Sequence, residues 1–132
     1  MYTHTRRADY VLECDASDHA LGAIVVTAPQ SSFVGACSHR RLRDEEAQWG
    51  SLLREMTGYR DAVFTLARRA PLRDKVVEVV GDAQPAAYVF ASGGSQVVDV
   101  RTGLRLILEA LWNIFAVAER EGFKVRFRWV RR

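Results

Sequence analysis

Apolar and polar residues alternate over 9–15, with Tyr10, Leu12 and Cys14 on one side and Val11, Glu13 and Asp15 on the other. A period of two predicts a strand, here one that closes on a carboxylate. A polar turn at Ser17, Asp18 and His19 leads to a β-branched run over 21–27, and a second turn at Pro29 leads to a third run over 33–37. Three short strands joined by tight turns predict an antiparallel meander. From Asp44 the period lengthens: Trp49, Leu52, Leu53, Met56, Tyr59, Val63 and Leu66 recur at helical spacing. Asp44, Glu45 and Glu46 suit the amino end of a helix dipole, and Pro71 stops the helix after about Arg69.

Residues 75–82 form a nearly continuous apolar run that also ends in a carboxylate, Asp82, as expected of a strand buried on both faces. A short helix is predicted over 83–91, with Pro85 tolerated in its first turn and Gly93 and Gly94 breaking it. Leu104, Ile107, Leu108, Leu111, Phe115 and Ala118 mark a second long helix, ending near Gly122 at a left-handed cap. Over 123–130, Val125, Phe127 and Trp129 alternate with Lys124, Arg126 and Arg128. That pattern predicts an edge strand whose basic face discourages aggregation and could face phosphate. The order β-β-β-α-β-α-α-β predicts an α/β fold: a mixed sheet, a meander followed by βαβ crossovers, with helices packed on it. The first and fourth strands would then lie parallel, and Asp15 and Asp82 would meet at their carboxyl ends, where open α/β sheets bind ligands. Glu55 borders the apolar stripe of the long helix and can reach the same edge.

With 132 residues and 48% apolar content, the chain suffices for one domain over 1–132. The formal charge is +3, and lysine occurs at Lys75 and Lys124 alone. The arginine-rich balance and a pI near 9.2 lean towards a polyanionic partner. The clusters Arg40-Arg41-Arg43 and Arg126-Arg128-Arg131-Arg132 are its best candidates, against the bland reading of arginines on a solvated surface. Cys14 and Cys37 lack zinc-ligand spacing and are expected to be reduced core residues, and His4, His19 and His39 share no metal spacing. No apolar run is long enough to span a membrane and no secretory signal opens the chain, so a cytoplasmic or nuclear setting is expected.

The order Asp15, Glu55, Asp82 supplies what a two-metal nuclease requires, since carboxylates are the hard ligands that Mg²⁺ and Mn²⁺ take. Each acid also has a plain structural reading. Asp15 would cap a turn, Glu55 would pair on a helix surface, and Asp82 would cap the following helix. Glu13 shares a face with Asp15 but lies further from the strand end. Trp49, Trp112 and Trp129 fall on apolar stripes and are read as core.

The segments ECDASDHALGAIVV, CSHRRLRDEEAQWGSLLREMTGYRDAV, VVGDAQPAAYVFASGGS and FKVRFRWVRR together resemble the ribonuclease H domain that follows reverse transcriptase in retrotransposons and retroviruses. The likeness runs over nearly the whole chain and looks nearest to elements encoding a tyrosine recombinase, with chromovirus-like elements as the other possibility. It implies a ribonuclease H-like fold and a metal-dependent endonuclease, tethered to a reverse transcriptase in a polyprotein, that cleaves the RNA strand of RNA–DNA hybrids. It also implies two Mg²⁺ or Mn²⁺ ions held by Asp15, Glu55 and Asp82, and hybrid contacts from Ser17, Arg40, Arg41, Gln84, Ser95 and Arg131. The order of the acids argues against a transposase or integrase of that fold.

The chain departs from the family at Gly81, where the family usually has Thr or Ser, and at Pro85. The family pattern also continues into a last helix with a fourth carboxylate, which is missing from this chain. Truncation, a ligand from elsewhere and loss of full activity all remain open. A non-catalytic relative that binds nucleic acid or a protein partner is the alternative function, and a structural domain within a polyprotein is a further one.

Overall fold

The computed structural model describes residues 7–16, 20–27, 34–44, 50–92 and 104–131. Along the chain these form β1 (Tyr10–Ala16), β2 (Ala20–Thr27), β3 (Val34–Arg41), α1 (Ser51–Arg69), β4 (Val76–Gly81), α2 (Gln84–Ser92), α3 (Leu104–Glu121) and β5 (Lys124–Trp129). The element order is the one that the hydrophobic pattern predicts. The strands make one five-stranded sheet in the order β3-β2-β1-β4-β5. β1 to β3 are the expected antiparallel meander, and β4 joins β1 in parallel, followed by β5 in parallel on the outer edge.

The alternation in β1 decides which face is covered. Leu12 and Cys14 enter the core with Leu53, Met56, Tyr59 and Val63 of α1, Val77 and Val79 of β4, and Leu111 and Ile114 of α3. Glu13 and Asp15 point the other way and are exposed. The described helices therefore pack on one face, and burying each large apolar side chain there contributes about 1.5–3 kcal/mol. Asp9 fastens the start of the parallel pair: its amide donates to the Val76 carbonyl at 2.8 Å, and its carboxylate accepts from the Val76 amide at 2.7 Å. Gly122 takes the left-handed cap position with φ +76°, and both its amide and that of Phe123 donate to the Ala118 carbonyl.

Two boundaries differ from expectation. β3 continues to Arg41 instead of ending at Cys37, which puts Arg40 and Arg41 on a strand. The long helix does not run unbroken from Asp44, because Gly50 is extended (φ −63°, ψ 159°) and stands as the N-cap of α1. The acidic run 44–46 thus does not form the first turn of α1. An extended N-cap is ordinary geometry for a helix start. Residues 45–49, Trp49 among them, lie outside the described residues.

β4 is buried along its whole length, as an apolar central strand should be. Glu78 sits in the middle of it. Its carboxylate accepts from Arg126 Nε at 2.9 Å and Arg128 Nε at 2.8 Å, so the face of β5 that the alternation marks as free for phosphate is tied back to the sheet. A charge buried in a strand is tolerable only when paired in this way.

Candidate functional site

Asp15 is the penultimate residue of β1, exposed, and paired across to Gly22 of β2. Asp82 directly follows β4 and is half-buried. The parallel register aligns Tyr10 with Val77 and Glu13 with Val80. Carried on to the strand ends, it sets Asp15 beside Asp82. The Asp82 carbonyl accepts from Trp129 Nε1 at 3.1 Å, and the Gly81 carbonyl accepts from the Val130 amide at 2.9 Å, so β5 holds the turn that carries Asp82.

Glu55 approaches this end of the sheet from the helix layer. It lies in the second turn of α1 and is 9% exposed. Its Oε2 accepts a hydrogen bond from the Tyr59 hydroxyl at 3.2 Å, one helical turn further on. Tyr59 is completely buried. Burial above all, then the nearby charges of Glu55 and Cys14, the bond to Glu55 and the charge of Asp82, hold its phenol far above the usual tyrosine range. The phenol is therefore a fixed donor at any ordinary pH.

Gly81 explains how a tyrosine reaches that place. A Cβ added at residue 81 would overlap the phenol oxygen and come within 2.8 Å of Cζ and 2.9 Å of Cε1. The departure at Gly81 thus has a packing reason: the space that a side chain there would take is filled by the Tyr59 hydroxyl. Phe127 of β5 and Phe90 of α2 confine the ring, with centroids 5.2 Å and 6.3 Å from it, and stack on each other at 5.0 Å.

The three acids offer only oxygen donors, which suits a hard divalent cation. The Cys14 thiol, next to Asp15 in the chain, donates to the Leu12 carbonyl at 3.7 Å. Among the described residues, no three His, Cys, Asp or Glu side chains are gathered closely enough to hold an ion as they stand. The reason lies in the alternation: Asp15 leaves β1 on the face away from α1, whereas Glu55 comes from α1 itself. The donor set suits a divalent cation in kind, while the three acids do not close around one as they stand.

Of the other residues expected at a nucleic acid, Arg41 is exposed on β3, Gln84 opens α2 exposed, and Arg131 is exposed just beyond β5. Arg40 donates through Nε to Asp61 of α1 at 2.8 Å, so part of its charge is used within the fold. Ser17 and Ser95 lie outside the described residues. Tyr59 and Glu78 are the residues that the sequence reading missed. The first falls on the apolar stripe, and only its place four residues after Glu55 signals a polar role.

No family model matches the sequence, and no curated protein matches it. Among solved structures, the chain is similar to the N-terminal RNase H domain of Rv2228c from Mycobacterium tuberculosis, solved as a fusion with maltose binding protein. That likeness has a TM-score of 0.60 at 16% identity and covers 93% of this chain and 87% of that one. The chain is also matched to RuvC of T. thermophilus in complex with a Holliday junction substrate, at TM-score 0.41 and 15% identity, over 92% of this chain and 66% of that one. Its mixed five-stranded sheet with flanking helices is the ribonuclease H-like fold.

Proposed function

We propose that this chain is a metal-dependent endonuclease that hydrolyses the RNA strand of RNA–DNA hybrids, with Asp15, Glu55 and Asp82 as metal ligands. The observation that carries the reading is the parallel pairing of β1 with β4, which sets Asp15 beside Asp82 at the sheet edge that Glu55 approaches from α1. Two Mg²⁺ or Mn²⁺ ions, when bound, supply the charge that activates a water and stabilises the leaving 3′ oxygen. Asp15, Glu55 and Asp82 would hold them, with Asp15 and Asp82 at the carboxyl ends of the parallel pair. Arg41, Gln84 and Arg131, all exposed, are the groups proposed to hold phosphates, with Arg40, Ser17 and Ser95. Such contacts orient a hybrid without reading its sequence. The sequence resemblance further supports action beside a reverse transcriptase in a polyprotein.

The test is cleavage of end-labelled RNA–DNA hybrid, double-stranded DNA and double-stranded RNA with Mg²⁺ or Mn²⁺, by wild type and Asp15→Asn. The expected result is Mn²⁺-supported cleavage of the hybrid RNA alone, lost in a normally folded Asp15→Asn. Equal cleavage by the two proteins would refute the assignment. A second reading, a non-catalytic domain of the same fold that binds nucleic acid or a protein partner, is favoured by the absence of a closed three-acid group among the described residues. Metal-independent hybrid binding with no cleavage by wild type would establish it.

A further inference from the structure

We infer that Tyr59 is a positioning residue for the metal site, and that Gly81 is a glycine because the Tyr59 hydroxyl has taken the space of a side chain at residue 81. This inference rests on the proposed metal role of Glu55. Three independent observations carry it. The hydroxyl sits 3.2 Å from Glu55 Oε2 and donates to it. The ring is confined by Phe90 and Phe127, which leaves the hydroxyl little freedom to be elsewhere. A Cβ built on Gly81 runs into the phenol oxygen, Cζ and Cε1, so residue 81 and Tyr59 cannot both occupy the volume.

The chemistry of the donor matters. A phenol orients a carboxylate without adding charge, whereas a guanidinium or ammonium would compete with a cation for it. By holding Oε2, the phenol restricts rotation of a carboxylate that stands on a long side chain, which reduces the entropy lost when an ion is captured. Partners of this kind around metal ligands typically contribute about 10–100-fold in metal affinity or activity. Asp82 is the neighbour of Gly81, so the hydroxyl that bonds to Glu55 lies against the strand end from which Asp82 follows.

The probe is Mn²⁺ itself, followed by calorimetric titration and by the Mn²⁺ dependence of hybrid cleavage, with thermal melting recorded for every variant. Tyr59→Phe keeps the ring and removes only the donor. It is expected to weaken Mn²⁺ binding by about 10-fold or more, and to raise the Mn²⁺ concentration for half-maximal cleavage by more than it lowers the rate at saturating Mn²⁺. A purely structural role would lower the melting temperature and leave that split unchanged.

A pair of swaps tests the shared volume. In a Tyr59→Leu background, which vacates the space, Gly81→Ser restores a hydroxyl and Gly81→Ala does not. Recovery of Mn²⁺ affinity by serine and not by alanine is the expected result, and equal affinity in the two swaps would overturn the inference. Wild type that binds Mn²⁺ no better than Tyr59→Phe would overturn it as well, leaving the site proposal standing. Wild type that neither binds Mn²⁺ nor cleaves would overturn the metal site and this inference with it.

Discussion

Glu55 and Glu78 are equally buried, each 9% exposed, yet they are held in opposite ways. Glu78 lies in the middle of β4 and accepts from two guanidinium groups, Arg126 and Arg128 on the neighbouring strand. Glu55 lies at the end of the sheet and accepts from a neutral phenol. Two guanidiniums supply charge as well as hydrogen bonds, and their carboxylate has no need of a further cation. A phenol supplies direction alone. The same residue type at the same depth is thus a staple between strands in one place and, at the end of the sheet, a candidate ligand in the other.

The comparison is most exposed to neutralising each glutamate in turn. Glu55→Gln is expected to reduce hybrid cleavage by more than the roughly 100-fold that outlying partners of a metal site typically cost, while melting within about 4 °C of wild type, a change of about 1 kcal/mol or less. Glu78→Gln is expected to do the reverse. Cleavage by the folded protein is retained, and stability in denaturant titration falls by about 1–3 kcal/mol. That range is below the cost of breaking a fully buried pair, because the Arg126 and Arg128 side chains are 25% and 53% exposed and can find water. Loss of cleavage in both variants at unchanged stability would erase the distinction.

A finer contrast separates the two arginines. Arg126→Ala is expected to cost more stability than Arg128→Ala, since the more exposed of two ion-pair partners contributes less. Equal losses in paired melting curves would mean that exposure does not rank them.

The smallest effect concerns alkaline pH. Tyr59's pKa is raised in the folded state from an ordinary value of 10.0, so the folded protein keeps a proton that the unfolded chain releases. The resulting stability is complete below about pH 10 and declines as pH rises above it. Stability measured from pH 9 upward is therefore expected to fall less steeply in Tyr59→Phe than in wild type, and identical slopes would show that the phenol is not protected.

Much of the fold was legible because it rests on local periodicity. The two-residue alternation in β1, the apolar run of β4 and the helical spacing from Leu52 to Leu66 each identify an element without help from the rest of the chain, and together they place β1 beside β4. What depended on contacts distant in sequence was not legible. Glu78 reads as an exception in an apolar strand until Arg126 and Arg128 arrive from β5. Tyr59 reads as one more apolar-stripe residue until Gly81 is seen to leave room for its hydroxyl. The break at Gly50 was not legible either, because the helical spacing of apolar residues in the sequence runs on across it.

The central claim is that Asp15, Glu55 and Asp82 share one metal site, and paramagnetic broadening of backbone amide signals by substoichiometric Mn²⁺ tests it most directly. The account predicts that the amides of Asp15, Glu55 and Asp82 broaden first and together, with Glu78 spared, and that Asp15→Asn reduces the effect at all three. Broadening centred on Glu78, or scattered over exposed acids with those three amides unaffected, would contradict it.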